Sequence, residues 1–364
     1  MKEKLRSRFK ELSQLIGVSG NEQNVARYIK NALEDVCDEI RIDGVGNLIA
    51  IKHGGLPGPK LMLGAHMDEI GFIVKSIDNN GFIGFSKVGA APDKVLEGRK
   101  VWLKDKTIPG VIGIKPGHLS SPEESTRAKT AKECYIDIGL STAEAVKALG
   151  IKIGDPIAFQ GEYMEMVDKD IICSKSVDDR INCAILVELF EELKDKTFGG
   201  TLYGVFSVQE EIGMRGAFSA GTQIEPDYAI CIDTMPAGDT PDINTVKDMP
   251  IYLGKGPSCP VAEGNLARLM CSMTHRKVLE IIEKNSEKAG VNVQYISLIG
   301  ESYSTEKLWL TMSGKGVPAA SLTVPRRYSH SPVEVFNIND AVDSLRLLES
   351  IVLTNAEANL NFID

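Results

Sequence analysis

The sequence predicts an α/β fold, a largely parallel sheet flanked by helices and interrupted by a smaller, mostly β insert. Three observations predict it. Short apolar runs ended by turn or polar residues alternate with segments whose apolar residues recur at helical spacing. The chain has 364 residues, enough for one large domain or two of ordinary size. A block in its first half has a different texture, with many short β-like stretches broken by Gly, Pro and Asp.

The opening MKEKLRSRFKELSQLIGVSG is charged and amphipathic and reads as a helix. LMLGAHMD at 61–68 reads as a buried strand. GFIVKSI, GFIGFSKV, RKVWLKD, TIPGVIGI and DPIAFQ then read as strands of the insert, STAEAVKALG as a short helix and the polar PGHLSSPEESTRAKT as a loop. The expected division is residues 1–68 and 165–364 for the larger domain, with 69–164 as the inserted β domain. From Asp178, DDRINCAILVELFEELKD has helical periodicity, and strands follow at 201–211 (TLYGVFSVQEE) and 228–233 (YAICID). HRKVLEIIEKNSEKAG is helical from His275, VPAASLTVP at 317–325 is a strand, and NINDAVDSLRLLESIVLTNAEANL is a closing helix.

Composition removes several function classes. Hydrophobic residues at 43% and charged residues at 25% are those of a soluble globular protein. Apolar runs never approach the ~18 residues of a membrane span, and the N-terminus lacks the apolar centre of a secretory signal, so a cytoplasmic protein without a membrane partner is expected. The seven cysteines form no CxxC pair and sit in apolar runs such as INCAIL and YAICID, as reduced buried thiols do. A net charge of −9 argues against nucleic acid as a partner.

The metal-capable residues fall in a telling pattern. His66 lies at the end of one expected strand, Glu210 and Glu211 end a second, Asp233 ends a third, and His330 follows a fourth through the PRRYS link. Ligands bind outside the carboxyl ends of parallel strands, so these residues would converge, and Asp178 joins them at a helix start. Two imidazoles and three carboxylates suit zinc, cobalt or manganese, and five ligands with one bridging carboxylate suffice for a metal pair. Taken singly, each residue has a plainer role: a structural strand-end histidine, a solvated Glu pair, a helix cap at Asp178, turn formers at Asp233 and His330. Their coincidence at one sheet edge favours the metal site.

GAHMDEIGFIV, SVDDR, VQEEIGMRGA, the Asp233 strand with AGDTP, and SHSPVEV together resemble the M42 metallo-aminopeptidases, a family of tetrahedral, glutamyl and deblocking aminopeptidases. The resemblance covers nearly the whole chain, including VIGIKPGHL, YIDIG and IKIGDPIAF in the insert. It implies a zinc-peptidase-like three-layer α/β/α catalytic domain with a small β-barrel-like insert serving dimer contacts. It implies that Asp178 bridges two divalent ions, zinc or cobalt, that Glu211 and His330 complete one site, and that His66 and Asp233 complete the other. Asp68 would orient His66, Glu210 would be the general base on water, and the Asp178–Asp179 peptide would be cis. Short peptides are the implied substrates, and dimer-based homo-oligomers up to twelve subunits the implied assembly.

The chain departs from the family pattern in one place that bears on the substrate, and a second segment, GKGPSCPVAEGNLARLM, also replaces the more usual sequence. Where a Gly-Gly-Thr-Asp-Ala-like stretch lines the substrate pocket in relatives, this chain has GESYSTEKLWLTMSGKG, with Ser302, Tyr303, Ser304, Thr305 and Glu306. Substrate preference is therefore expected to differ. The alternatives are a family member acting on another amide, a non-catalytic assembly protein, or a glycosidase with paired acids, although adjacent Glu210 and Glu211 would point apart on an extended strand. His53, His118 and His275 are expected to be structural. GKGPSCPVAEGNLARLM lacks the spacing of a phosphate loop, and Arg326 and Arg327 are either a solvated loop pair or a receptor for an acidic side chain.

Overall fold

The chain opens with helices α1 (Lys2–Gln14) and α2 (Gln23–Leu33), then strands β1 (Glu39–Ile42), β2 (Leu48–His53) and β3 (Gly55–His66). The structure is a computed structural model and describes residues 1–363, the side chain of Ser125 excepted. After β3 the chain builds β4 (Gly71–Ile77), β5 (Ile83–Val88), β6 (Lys100–Leu103), β7 (Ile108–Ile112), β8 (Ile136–Asp137), helix α3 (Ala143–Ala148) and β9 (Pro156–Phe159). These six strands close into a barrel in the order β4-β5-β8-β7-β6-β9. Phe72 fills its centre, edge-on to Phe85 and Phe159 with ring centroids 4.8 and 4.9 Å away.

The chain returns through β10 (Met164–Glu165), β11 (Ile171–Ser174), α4 (Val177–Glu192), β12 (Phe198–Ser207), α5 (Arg215–Ile224) and β13 (Tyr228–Pro236). Then come β14 (Ser258–Asn265), β15 (Met270–Met273), α6 (Arg276–Ala289), β16 (Gln294–Ile299), α7 (Lys307–Leu310), β17 (Ala319–Arg327), β18 (Glu334–Asn337) and α8 (Ile338–Leu353). The large sheet runs β1-β2-β12-β3-β13-β17-β18-β11-β10, with β14, β15 and β16 branching from β17. Its four central strands, β12, β3, β13 and β17, are parallel. The flanks are antiparallel and the branch pairs β14 with β16 in parallel, so the sheet is mixed around a parallel centre. The link from β17 to β18 is too short for a crossover helix, and such a connection can only join antiparallel neighbours.

Alternation along the central strands sorts their side chains into two layers. Leu61, Leu63 and Ala65, Leu202 and Phe206, Ile230 and Ile232, and Leu322 and Val324 pack with α1, α4 and α8. Met62, Val205, Ala229, Cys231 and Ala319 face the other way, towards α5 and Leu310 of α7. The result is the expected three-layer α/β/α body. Among the described residues no helix is long and apolar enough to cross a membrane.

The chain leaves the sheet for the barrel at Asp68–Glu69 and re-enters it through β10 and β11, which end just before Lys175–Ser176. There Glu69 meets Lys175 Nζ at 2.6 Å, both side chains buried, and Ser176 Oγ donates to the same Glu69 oxygen. Burial opposes ionisation of Glu69, but Lys175 and Arg180 hold its carboxyl below the usual range. Arg180, fully buried, donates to the carbonyls of Met67 (2.7 Å), Leu12 (2.8 Å) and Leu15 (3.2 Å), tying the end of α1 to the end of β3.

Candidate metal centre

The carboxyl ends of the parallel strands meet as the strand-end logic requires. His66 is the last residue of β3, Asp233 lies inside β13 because that strand continues to Pro236, and His330 stands in the turn after β17. Glu210 and Glu211 are not on the strand. β12 stops at Ser207, and Gln209, in the left-handed region at φ 57°, turns the chain into a loop. Asp178 is not a helix cap either: it and Asp179 have non-helical backbone angles, and the peptide joining them is cis.

Asp178 is the hub. Its Oδ1 lies 3.1 Å from His66 Nε2 and its Oδ2 lies 3.3 Å from His330 Nε2. The two glutamates divide between the same histidines, with Glu210 Oε2 at 3.9 Å from His66 Nε2 and Glu211 Oε1 at 3.7 Å from His330 Nε2. The liganding atoms of His66, Asp178, Asp179 and Asp233 all lie within 4.8 Å of one another, as do those of Asp178, Glu211 and His330. The remaining histidines, His53, His118 and His275, take no part in either group.

Each arm of the cluster is braced. His66 Nδ1 lies 3.2 Å from the Asp68 carbonyl and 3.4 Å from Asp68 Oδ1, so a proton on Nδ1 frees Nε2 to face the cluster. Asp68, fully buried, also accepts the backbone N–H groups of Glu210 (2.9 Å) and Glu211 (3.1 Å) and the Ser19 hydroxyl (2.5 Å). One carboxylate thereby fixes an imidazole and the peptide that carries both glutamates. On the opposite side Glu334 accepts the N–H of Asp178 (3.1 Å) and of His330 (2.8 Å). The barrel contributes too: His330 Nδ1 lies 3.4 Å from the Ala90 carbonyl, and Gly89 leaves so little room that a Cβ there would stand 3.1 Å from Glu211 Oε2.

Glu334 and Asp179 are positions that sequence reasoning missed. Asp179 has both oxygens engaged, one by the His66 N–H at 3.2 Å and one by Asn182 Nδ2 at 2.5 Å. It therefore holds the His66 backbone in place while its carboxylate stays within the first liganding group. The doubled aspartate in SVDDR was a signal for it. Glu334 gave none, since its hydrogen bonds come from main-chain donors and its charged neighbour, Arg326, read as a loop residue.

Arg326 overturns the expectation of a solvated loop pair. β17 runs on through Arg327, and Arg326 is 3% exposed, with Nη2 donating to Asp178 Oδ2 and Nε donating to Thr234 Oγ1 at 2.6 Å. Its Nη1 is 3.2 Å from Glu334 Oε1 but too poorly angled to donate. Arg327 forks onto Asp239 at 2.8 and 2.7 Å. In the departing segment, Tyr303 donates its hydroxyl to the Thr234 carbonyl at 3.0 Å, next to the cluster. Thr305 and Glu306 face the interior instead, on Glu263 and Ser207. The glycine-rich GKG loop grips a side chain and not a phosphate: Gly254 and Gly256 N–H donate to Asp340 at 2.7 and 2.8 Å.

The electrostatics call for added positive charge. Burial, joined by the neighbouring Asp178 charge, pushes Asp233 well above the usual carboxylate range and Glu211 up to about 7. Burial with the charges of Asp233 and Glu211 does the same to Glu210. Asp178 goes the other way: burial opposes its charge, but Arg326 and the two histidines hold it well down. Burial would lower His330, yet Glu211 and Asp178 raise it to about 9. Glu211 Oε1 is buried and has no hydrogen-bond partner. Buried carboxylates crowded around imidazole nitrogens, with an acceptor left orphaned, fit a divalent cation.

Comparison with known proteins gives the site its context. The family model for the M42 glutamyl aminopeptidases matches residues 46–347. A protein of Acetivibrio thermocellus named as a candidate aminopeptidase is 35% identical over 340 residues, 93% of this chain and 96% of that one. An aminopeptidase from the archaeon Desulfurococcus kamchatkensis superposes with a TM-score of 0.92 at 28% identity, covering 100% of this chain and 98% of its own. A Pyrococcus horikoshii peptidase described as assembling into a tetrahedron or a large octahedral shell superposes at 0.83, with 27% identity over 96% and 99% of the two chains. The match spans sheet, barrel and cluster alike, and this chain belongs to the M42 family of glutamyl aminopeptidases.

Proposed function

We propose that this metallo-aminopeptidase removes N-terminal residues from short peptides with two divalent ions, zinc or cobalt, sharing Asp178. Glu211 and His330 would complete one position, and His66 and Asp233 the other. The observation that carries the reading is the orientation of Asp178, whose two oxygens face two different histidines at 3.1 and 3.3 Å. When bound, such ions polarise the scissile carbonyl and make water a stronger acid.

The chain's own residues do the rest. Glu210 stands beside His66 without belonging to either liganding group, and we assign it the general base, taking a proton from the attacking water on its carboxylate and handing it to the departing amine. Asp68 keeps that carboxylate in register by holding the Glu210 N–H at 2.9 Å. Tyr303, on the wall next to Asp233, is suited to shape the space for the first side chain of the substrate. Assembly of copies through the barrel, in the cytoplasm, completes the reading, supported by the oligomeric description of the Pyrococcus horikoshii peptidase.

Glu210→Gln tests the assignment. It should lower kcat by about 10²–10⁴, the usual worth of a positioned base, while metal content stays at the wild-type value. Turnover within a few-fold of wild type would remove Glu210 from the mechanism. Loss of metal along with activity would make it a ligand instead.

A further inference from the structure

The guanidinium of Arg326 is a permanent positive charge inside a cluster built to receive cations. Its position is not symmetrical. Nη2 donates to Oδ2 of Asp178, the oxygen that also faces His330 Nε2 at 3.3 Å. On the other oxygen, Oδ1, the neighbour is His66 Nε2 at 3.1 Å. Arg326 cannot readily swing away. It is buried, its Nε is held on Thr234 Oγ1 at 2.6 Å, and its backbone sits in register opposite Pro236 of β13 and Phe336 of β18.

We propose that Arg326 makes the two metal positions unequal. An ion on the His66, Asp178 and Asp233 side meets a free oxygen and binds tightly. An ion on the Glu211, Asp178 and His330 side must share Asp178 Oδ2 with the guanidinium, and it binds weakly and leaves first. This rests on the two-ion reading above. Arg326 is then a positioning residue that sets the metal concentration at which the second place fills. Two like charges competing for one carboxylate oxygen interact strongly at an interior dielectric, so a gap of at least about tenfold between the two dissociation constants is a conservative expectation.

The test is metal binding by the full chain, with no activity readout needed. Protein stripped by chelator is titrated with Zn²⁺ in a calorimeter, and the ions retained after dialysis are counted by elemental analysis. The wild type should bind two ions in separate steps and keep one on dialysis. Arg326→Met, which keeps an unbranched apolar stem of similar reach, should tighten the second step by about tenfold or more and change the first by less than about threefold. An unchanged second step in a folded Arg326→Met protein overturns the proposal. So does a wild type that binds two ions with equal constants, a result that does not depend on the variant's folding. A single ion in both proteins also overturns it. No ion in either protein overturns the metal reading itself, and the stoichiometry tells these failures apart.

Discussion

Asp68→Asn is the most informative single change outside the liganding set, because Asp68 braces the site from beneath with both of its oxygens. Oδ1 takes the Glu210 N–H at 2.9 Å, while Oδ2 takes the Glu211 N–H at 3.1 Å and the Ser19 hydroxyl at 2.5 Å. Asparagine offers one acceptor. Whichever way its amide turns, at least one backbone N–H faces an NH₂, and a buried unpaired donor costs about 1–3 kcal/mol. The surviving bonds lose charge assistance, about 1 kcal/mol each. The site no longer buries a charge, which offsets part of this and leaves a net loss of roughly 2–4 kcal/mol. The direction of the Asp68 pKa fixes the sign: burial alone would raise it, yet His66, Ser19 and the Glu210 N–H hold it below 3.8, so the folded site prefers the carboxylate. A depressed folded pKa contributes stability that is complete above 3.8 and disappears as pH falls through the folded value. Urea unfolding with chelator present throughout should show a midpoint lower by about 1 M for Asp68→Asn at pH 7, and a gap that narrows on acidification. Equal midpoints at pH 7, or a gap that widens in acid, would refute the reasoning.

Two further predictions follow from the walls of the site. Gly89→Ala places a methyl 2.7 Å from Ile70 Cγ2 and 3.1 Å from Glu211 Oε2 at a backbone φ of 77°, so it should cost about 1–3 kcal/mol in thermal unfolding and weaken metal binding at the Glu211 and His330 side. A variant with wild-type melting and metal affinity would show that the barrel does not press on the centre. A panel of aminoacyl-anilides should return a preference for the first residue unlike that of glutamyl-type relatives, and Tyr303→Gly should shift that profile through KM; an ordinary family profile would leave the altered segment without consequence.

Much of this was legible in the sequence because the reasoning used residue types and strand ends together. His66, Asp178, Glu211, Asp233 and His330 gather where a parallel sheet collects its loops, and the alternation of apolar runs with helical periods gave the layers. What stayed hidden depended on strand length and on main-chain partners. Arg326 read as a loop residue because nothing in VPRRYSH shows that β17 runs on through Arg327, which turns that guanidinium inward. Glu334, within a short apolar run, binds backbone N–H groups, and its ion-pair partner is Arg326, which itself read as a loop residue. The opposed orientation expected for Glu210 and Glu211 came from an extended strand that stops at Ser207, and a left-handed turn at Gln209 carries both into a loop instead.

The buried contact between Glu69 and Lys175 has a bearing on how this architecture tolerates change. It pins together the two ends of the segment that carries the barrel with β10 and β11, so from the side of the central parallel strands that segment is a closed loop. Widening a closed loop adds only a logarithmic entropy cost, about 0.6 kcal/mol per doubling. Grafting in another outer body would therefore disturb the liganding side chains little, provided it presented a carbonyl in place of Ala90 and bare backbone in place of Gly89. Barrel and liganding cluster thus meet at Gly89, at Ala90 and along a buried ionic seam.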